Sequence, residues 1–544
     1  ARNNEPSHAW LYNYLVKNFS YKASGAGQFI GFALTAYLRV LTMSSNRNVD
    51  ADFLALPLSP ICDAAISTAQ SLGATHVDVR IERTRTGLLQ LRDAKPETQN
   101  DGSLMGLGVR VIINGAWGFA SAPEVSAKRA QELAQIAVAM AKTSKPLATE
   151  EVVLAPEPVY ANKTWVSSYE IDPFSVSDSE KIERLATLSS KLLAAKSVNH
   201  VSAYTMFVKE QKHYADSHGT STTQQRVRVQ TQIEGISVGG HGFESVRTLA
   251  QPAGFGWEWM RNDIYNWDSE IDELPTILAQ KVAAPSVEPG KYDLLIHPSN
   301  LWLTIHESIG HATELDRAIG YEANYAGTSF ATVDKLNTLQ YGSKLMNITG
   351  DRFTEHGLST VGYDDEGVAA QQWEIIKDGV LVGYQTDRRI AARVGQNRSN
   401  GCAFADSPAH VPIQRMPNVS LQPDLKGPDL DSMIASMDDG IYILGDKSWS
   451  IDMQRYNFQF TGQQFHRIKN GKIVGQVKDV AYQATTTDFW GSMRVVGGPA
   501  TYVLGGAFNC GKGQPSQTAA VSHGCPAAIF EKVNILNTVA EAGA

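Results

Sequence analysis

The segment His306-Glu307-Ser308-Ile309-Gly310-His311 constrains this chain more than any other stretch. A metal-binding helix commonly carries two histidines four residues apart, H-E-x-x-H, so that both share one face beside a carboxylate. Here the second histidine arrives at i+5. An α-helix turns roughly 100° per residue, so two such side chains would point about 140° apart. They can reach one metal only if the helix widens locally, as a π-type turn does. Gly310 supplies a flexible backbone where the widening would fall. The spacing therefore predicts a π-like distortion between His306 and His311. A regular α-helix with diverging imidazoles would count against a shared metal.

A hydrolytic zinc site uses about three protein ligands and keeps one position open. His306 and His311 would supply two, and Glu307 is placed to take a proton from an activated water. The bland alternative is a surface helix with two solvated histidines. Against it stand the apolar flank Leu301-Trp-Leu-Thr-Ile305 and the polar Glu314, Asp316 and Arg317 beyond, which together read as a cleft wall. The third ligand must come from elsewhere: His356, His410, Cys402, His466, Cys510, His523 and Cys525 are the downstream candidates. Cys510 stands out because the turn Gly511-Lys512-Gly513 lets a thiolate approach closely, and Lys512 would favour its deprotonated form. The same residues also suit a buried structural cysteine. Cys402 and Cys62 read as structural. For an oxyanion donor, which acyl chemistry needs, His356 and Tyr363 are the candidates.

Composition closes off several classes. The 544 residues allow more than one domain, and a net charge of −8 leaves no basic footprint for nucleic acid. No apolar run reaches the roughly 18 residues of a spanning helix; the nearest, Phe29 to Leu41, contains Arg39. Four scattered cysteines do not make a disulfide framework and suit a reducing compartment, so the reading is cytoplasmic. Residues 1–42 precede a natural start at Met43 and read as an extension of uncertain status.

Periodicity then sets the fold class. Helical spacing runs from Leu54 to Leu72, with Ser59 as the expected N-cap, from Ser126 to Lys142, from about Ser177 to Lys196, and from Leu274 to Ala283. Alternating strands are expected at His76–Glu82, Gly87–Arg92, Ser202–Val208, Glu210–Asp216 and Gln225–Val238. Asn114-Gly115, Asp378-Gly379 and Asn470-Gly471 each sit between apolar runs and read as type I′ hairpin turns. Pro285 to Pro289 reads as a boundary. The expected architecture is α+β: an α+β domain over 43–288, then a β-rich domain over 289–544 that holds the metal-site helix, with antiparallel sheets and segregated helices.

His306-Glu-Ser-Ile-Gly-His-Ala-Thr-Glu-Leu-Asp316 resembles the hallmark helix of the TldD/PmbA (TldE) metallopeptidases. The resemblance extends to Gly106-Leu-Gly-Val-Arg-Val-Ile-Ile-Asn-Gly-Ala-Trp-Gly-Phe-Ala120, Ala326-Gly-Thr-Ser329, Lys377-Asp-Gly-Val-Leu-Val-Gly-Tyr384, Arg415-Met-Pro-Asn418, Ile468-Lys-Asn-Gly-Lys-Ile473 and Asn509-Cys-Gly-Lys-Gly-Gln514. It spans about Asp50 to Val533. One class in this family carries the metal site and the other has lost it; a chain with His306, Glu307, His311 and Cys510 resembles the catalytic TldD type. The resemblance implies zinc held by His306, His311 and Cys510, Glu307 as general base, and hydrolysis of short or unfolded peptides bound as an extended strand. It further implies a partner, either a PmbA/TldE-like subunit or a second copy. The stretch Asp406 to Pro412 departs from the pattern and could alter substrate choice. Two other functions use the same residues: a peptide-binding subunit with a structural metal, and a small-molecule amidase. Glu307 favours the enzyme, since a structural site has little use for it.

Overall fold

The computed structural model describes residues 48–240 and 242–541. The extension before Met43, with its apolar run, lies outside them. The N-terminal half is built on one sheet, in the order Ala116–Ala122, Lys95–Ile113, His76–Arg92, His200–Asp216, Ser221–Gly239 and Lys163–Val166, with Gly242–Arg247 also beside Ser221–Gly239. Neighbours are antiparallel apart from Lys163–Val166, which runs parallel to its partner.

Strict alternation along these long strands decides the two faces. Odd-numbered Val77, Val79, Ile81 and Val109 join the core with helices Leu58–Ser71 and Ala127–Ser144. Odd-numbered Leu89, Leu91, Val201, Phe207 and Val229 join that of Asp178–Leu193 and Trp267–Ala283. Even-numbered Asp78, Arg80, Glu82, Arg110, Glu210 and Lys212 take the opposite face, and they are buried too. The C-terminal half covers them: Lys212 Nζ lies 2.8 Å from Asp365, and Arg110 Nη1 lies 2.9 Å from Glu366.

Pairing on both sides explains where the strands differ from the sequence reading. His76–Glu82 and Gly87–Arg92 are one strand, because polar Arg83–Thr86 is paired on both sides and continues the ladder where a turn was expected. Ser202–Val208 and Glu210–Asp216 merge for the same reason. The first helix is broken into Ala51–Leu54 and Leu58–Ser71, with Pro57 and not Ser59 at the cap position; Pro60 falls in the first turn, where a missing N–H costs nothing. The helix expected from Leu274 starts at Trp267. The three hairpin turns form, with left-handed φ at both residues: 49° and 73° at Asn114-Gly115, 48° and 79° at Asp378-Gly379, 46° and 72° at Asn470-Gly471.

In the C-terminal half the strands Asp439–Ile451, Gly290–Ile296, Ala528–Asn537, Val480–Thr485 and Asn457–Lys469 follow in order, and pairing of the last with the first closes the sheet on itself. Ile441, Ile443, Phe458, Phe460, Tyr482 and Phe530 belong to its core. The chain leaves Gly290–Ile296 through His297, whose ring accepts from Ser299 N, with Pro298 at the first helical position. Helix Pro298–Ile305 is buried on every side between strand Asp439–Ile451 and the hairpin Val503–Lys512/Gln517–Cys525. The architecture is α+β, with antiparallel sheets and the histidine-bearing helix in the β-rich half. Among the described residues no helix is long and apolar enough to cross a membrane.

Candidate metal centre

Directly after Ile305 the helix widens into a π-turn over His306–Gly310, and the His311 N–H donates to the His306 carbonyl, five residues back. This is the distortion the i+5 spacing predicts. Carbonyls released by widening need other donors. The Tyr341 hydroxyl serves Ser308 O, Gln385 Nε2 serves Gly310 O at 2.6 Å, and Thr313 Oγ1 serves Ile309 O at 2.8 Å. The role of Gly310 differs from expectation. Its φ is −51°, an ordinary helical value. A Cβ there would stand 2.6 Å from Met416 Sδ, so the glycine lets the Met416 side chain pack against the turn and is not used for backbone freedom.

The π-turn brings the imidazoles of His306 and His311 to 4.7 Å between ring centroids, at 73°. Cys510 completes the group: the ligating atoms of His306, His311 and Cys510 all lie within 4.8 Å of one another. The strand Val503–Lys512 carries an irregularity between Ala507 and Cys510. Such bulges re-aim a side chain. Cys510 Sγ stands 3.6 Å from His311 Nε2. Zinc bonds of about 2.0–2.3 Å at tetrahedral angles put ligand atoms roughly 3.5 Å apart, so this edge fits the ion without rearrangement.

Each histidine is oriented through its other nitrogen. His306 Nδ1 lies 2.7 Å from His523 Nε2, and His523 Nδ1 donates to Val419 O at 2.9 Å. His311 Nδ1 lies 2.9 Å from Glu314 Oε2. Both Nε2 atoms are left for a ligand, the arrangement that metal-bound histidines show. Burial holds His311 down to about 3 and His306 well below its ordinary range, so both rings are neutral and have lone pairs to offer. Burial also pushes the Cys510 thiol up to about 12. Arg415 and Lys512 pull the other way, as expected of Lys512, but burial outweighs them, and the Lys512 ammonium is shared among Asp316 (2.8 Å), Glu314 (3.0 Å) and Glu322 (3.3 Å). Those carboxylates and Arg317 are themselves buried, so they hold the centre from behind and do not form a cleft wall.

The open side is a cleft of about 500 Å³. His306, Glu307, His311 and Cys510 lie on one wall, and Gln230, Gln232 and Gln251 of the N-terminal half on another. Glu307 accepts from Arg455 Nη1 at 2.6 Å. Burial raises its carboxyl above the ordinary range, against the pull of Arg455 and Arg317.

Other expected residues fall elsewhere. His356 stacks on Phe255 at 3.6 Å, and Tyr363 packs on Tyr160; neither lines this cleft. His410 pairs with Asp406, His466 with Gln464, and Cys402 and Cys525 are buried outside the ligand group. Asp406–Pro412 does not reach the cleft: Pro408 packs on Gly106, and the His410 carbonyl accepts from Arg80. Three contributors were missed as such. Glu314 could have been found at i+3 from His311. His523, one of the ligand candidates, lies outside the group and bonds to His306. Arg455 carried no local signal.

Three sequence profiles of one family match the chain: PmbA/TldA metallopeptidase domain 1 at residues 77–141, the central domain at 171–284 and the C-terminal domain at 289–537. A metalloprotease of Methanothermobacter thermautotrophicus is 28% identical over 88% of this chain and 97% of its own length. A zinc metalloprotease TldD homolog of Saccharolobus solfataricus is 21% identical over 86% and 98%. In fold, TldE from Thermococcus kodakarensis superposes with a TM-score of 0.66 at 16% identity, over 86% of this chain and 98% of that one. The chain belongs to the PmbA/TldD family of metallopeptidases.

Proposed function

We propose that the chain is a catalytic, TldD-type zinc peptidase that hydrolyses short or unfolded peptides. The observation that carries this reading is the convergence of His306, His311 and Cys510 on one point of an open cleft, with Glu307 beside them. Two imidazoles and a thiolate suit zinc among the common ions. When bound, zinc would polarise a scissile carbonyl and acidify water in the cleft. His306, His311 and Cys510 would hold it, with His523 and Glu314 fixing the ring orientations. Glu307 accepts a proton from the attacking water and returns one to the leaving amine, the exchange a carboxylate beside the centre can carry out.

An extended peptide has a place to lie. The strand Val503–Lys512 pairs only with Gln517–Cys525 among the described residues, and Gly506–Gly511 line the cleft, so its other edge can add a strand. The chain would work in the cytoplasm, with a PmbA/TldE-like subunit or a second copy; the likeness in fold to TldE is consistent with a TldE-type partner. The test is cleavage of unfolded peptides by the zinc-loaded protein, followed by mass spectrometry, with Glu307→Gln alongside. Zinc retained and cleavage lost in the variant supports the reading. Undiminished cleavage by Glu307→Gln rejects the mechanism, and zinc binding without any hydrolysis would favour a structural metal.

A further inference from the structure

Arg455 is the residue whose placement the reaction above does not use. It sits in the turn between strands Asp439–Ile451 and Asn457–Lys469, with φ 64°, a left-handed value that non-glycine residues seldom take. The turn is fastened from several sides. Asp452 Oδ1 accepts from Gln454 N (3.0 Å) and Tyr456 N (2.9 Å), its Oδ2 from Asn457 N (3.0 Å), and Thr486 Oγ1 donates to the Arg455 carbonyl (2.8 Å). The fastening directs a long side chain into the cleft, where 13% of it remains exposed.

Its guanidinium is only partly used. Nη1 donates to Glu307 Oε2 at 2.6 Å, while Nε is buried with no partner. A buried charged donor without an acceptor is costly, and the side-on edge of a guanidinium matches a carboxylate in two parallel bonds. Arg247, a second cation lining the cleft, is already engaged by the Asp446 carboxylate and carbonyl and by Gln232. The charges lining the cleft, Arg247, Arg455, Glu307 and Asp446, sum to zero.

We propose that Arg455 binds a carboxylate of the substrate through the part of its guanidinium that faces the cleft while Nη1 keeps hold of Glu307. The site then prefers peptides with a carboxylate close to the cut, from a free C-terminus or an acidic side chain. A neutral peptide carbonyl offers one oxygen without charge and would satisfy the guanidinium less well. Arg455 is thus a specificity residue, and the proposal rests on the peptidase reading above.

The test compares one set of short peptides as free acids and as C-terminal amides, and the amides with Glu or Gln at each position, on the zinc-loaded protein. A carboxylate should raise kcat/KM roughly 10- to 100-fold, mostly through KM, the effect of a charged hydrogen-bond pair. The acid arm identifies a C-terminal carboxylate, the Glu arm a side chain. Arg455→Gln should erase the preference, and Arg455→Lys, a point charge, should keep part of it. In parallel, calorimetry with a tripeptide whose central amide is reduced, as acid and as amide, reads binding without turnover. Peptides cleaved with no acid preference in either series overturn the assignment and leave the peptidase reading standing. Acid-selective, Arg455-dependent binding without cleavage of any peptide has the opposite consequence. Equal binding of acid and amide, and of Glu- and Gln-bearing amides of the same reduced peptide, to the unmodified protein overturns the assignment even if both variants misfold.

Discussion

Two of the buried polar clusters among the described residues are built on opposite plans. On the even face of the N-terminal sheet, Glu210 accepts from Arg226 at 2.9 and 3.1 Å and from Arg228 at 3.1 Å, and Lys212 reaches Asp365 at 2.8 Å. There the charges answer one another. Around His306, His311 and Cys510 the pattern is reversed. Each histidine bonds backward, to His523 or Glu314, and the remaining lone pairs face each other across 4.8 Å or less. A self-satisfied cluster holds halves of a fold together. A cluster whose acceptors converge without a donor between them is made for a cation. Burial is common to both, and only the direction of the unused atoms separates structure from chemistry.

The comparison can be broken most sharply at the centre itself. Cys510→Ala should lose stoichiometric zinc by elemental analysis and reduce peptide cleavage beyond the ~10- to 100-fold typical of outer residues, while the fold persists by circular dichroism. Glu307→Gln should keep the metal and lose about 10²- to 10⁴-fold in kcat, the usual share of a general base. If Cys510→Ala holds zinc as tightly as the parent, the cluster is not a three-ligand site.

Next comes the other cluster. Glu210→Gln leaves Arg226, Arg228 and Lys212 short of a buried counter-charge, and should destabilise the protein by about 3–5 kcal/mol in denaturant titration. Its zinc content should not change. A parallel loss of metal would mean the two clusters are not independent.

His523→Phe should preserve the near-parallel stacking on Trp302, 7° between planes, yet remove the bond to His306. Metal affinity should fall about 10- to 100-fold by competition with a chelator. An unchanged affinity would strip His523 of its orienting role.

The smallest effect is on acid stability. Burial pushes the Glu210 carboxyl up, but Arg226, Lys212 and Arg228 outweigh it and hold it well below the ordinary range. A depressed carboxylate contributes stability above the unfolded pKa, about 4.3 for Glu, and loses it as pH falls. The stability gap between the parent and Glu210→Gln should therefore narrow below about pH 4. A gap that stays constant into acid would show that the pairing is not what sets this carboxyl.

Much of this was legible in residues alone. The i+5 histidine spacing demanded a π-turn, and the turn forms. Asn114-Gly115, Asp378-Gly379 and Asn470-Gly471 marked their hairpins, since few dipeptides tolerate left-handed φ twice running. Cys510 stood out through its glycine-rich surroundings. Other features could not be read. Arg83–Thr86 looked like a turn because charged side chains usually mean solvent; the strands that pair with the segment on both sides, His200–Asp216 among them, come from elsewhere in the chain. The pull of Lys512 on the Cys510 thiol was legible, but not the burial that outweighs it nor the three carboxylates that share its ammonium.

Local sequence thus determined what depends on neighbours along the chain: helix widening, turn handedness, and which strand face is apolar. Periodicity and backbone sterics act over a few residues, so their signatures stay in the string. The tertiary structure alone decided which polar face is buried, which nitrogen of each histidine is free, and that Arg455 reaches across 148 positions to Glu307. Those outcomes depend on what lies opposite in space, and a low-dielectric interior makes each such pairing count.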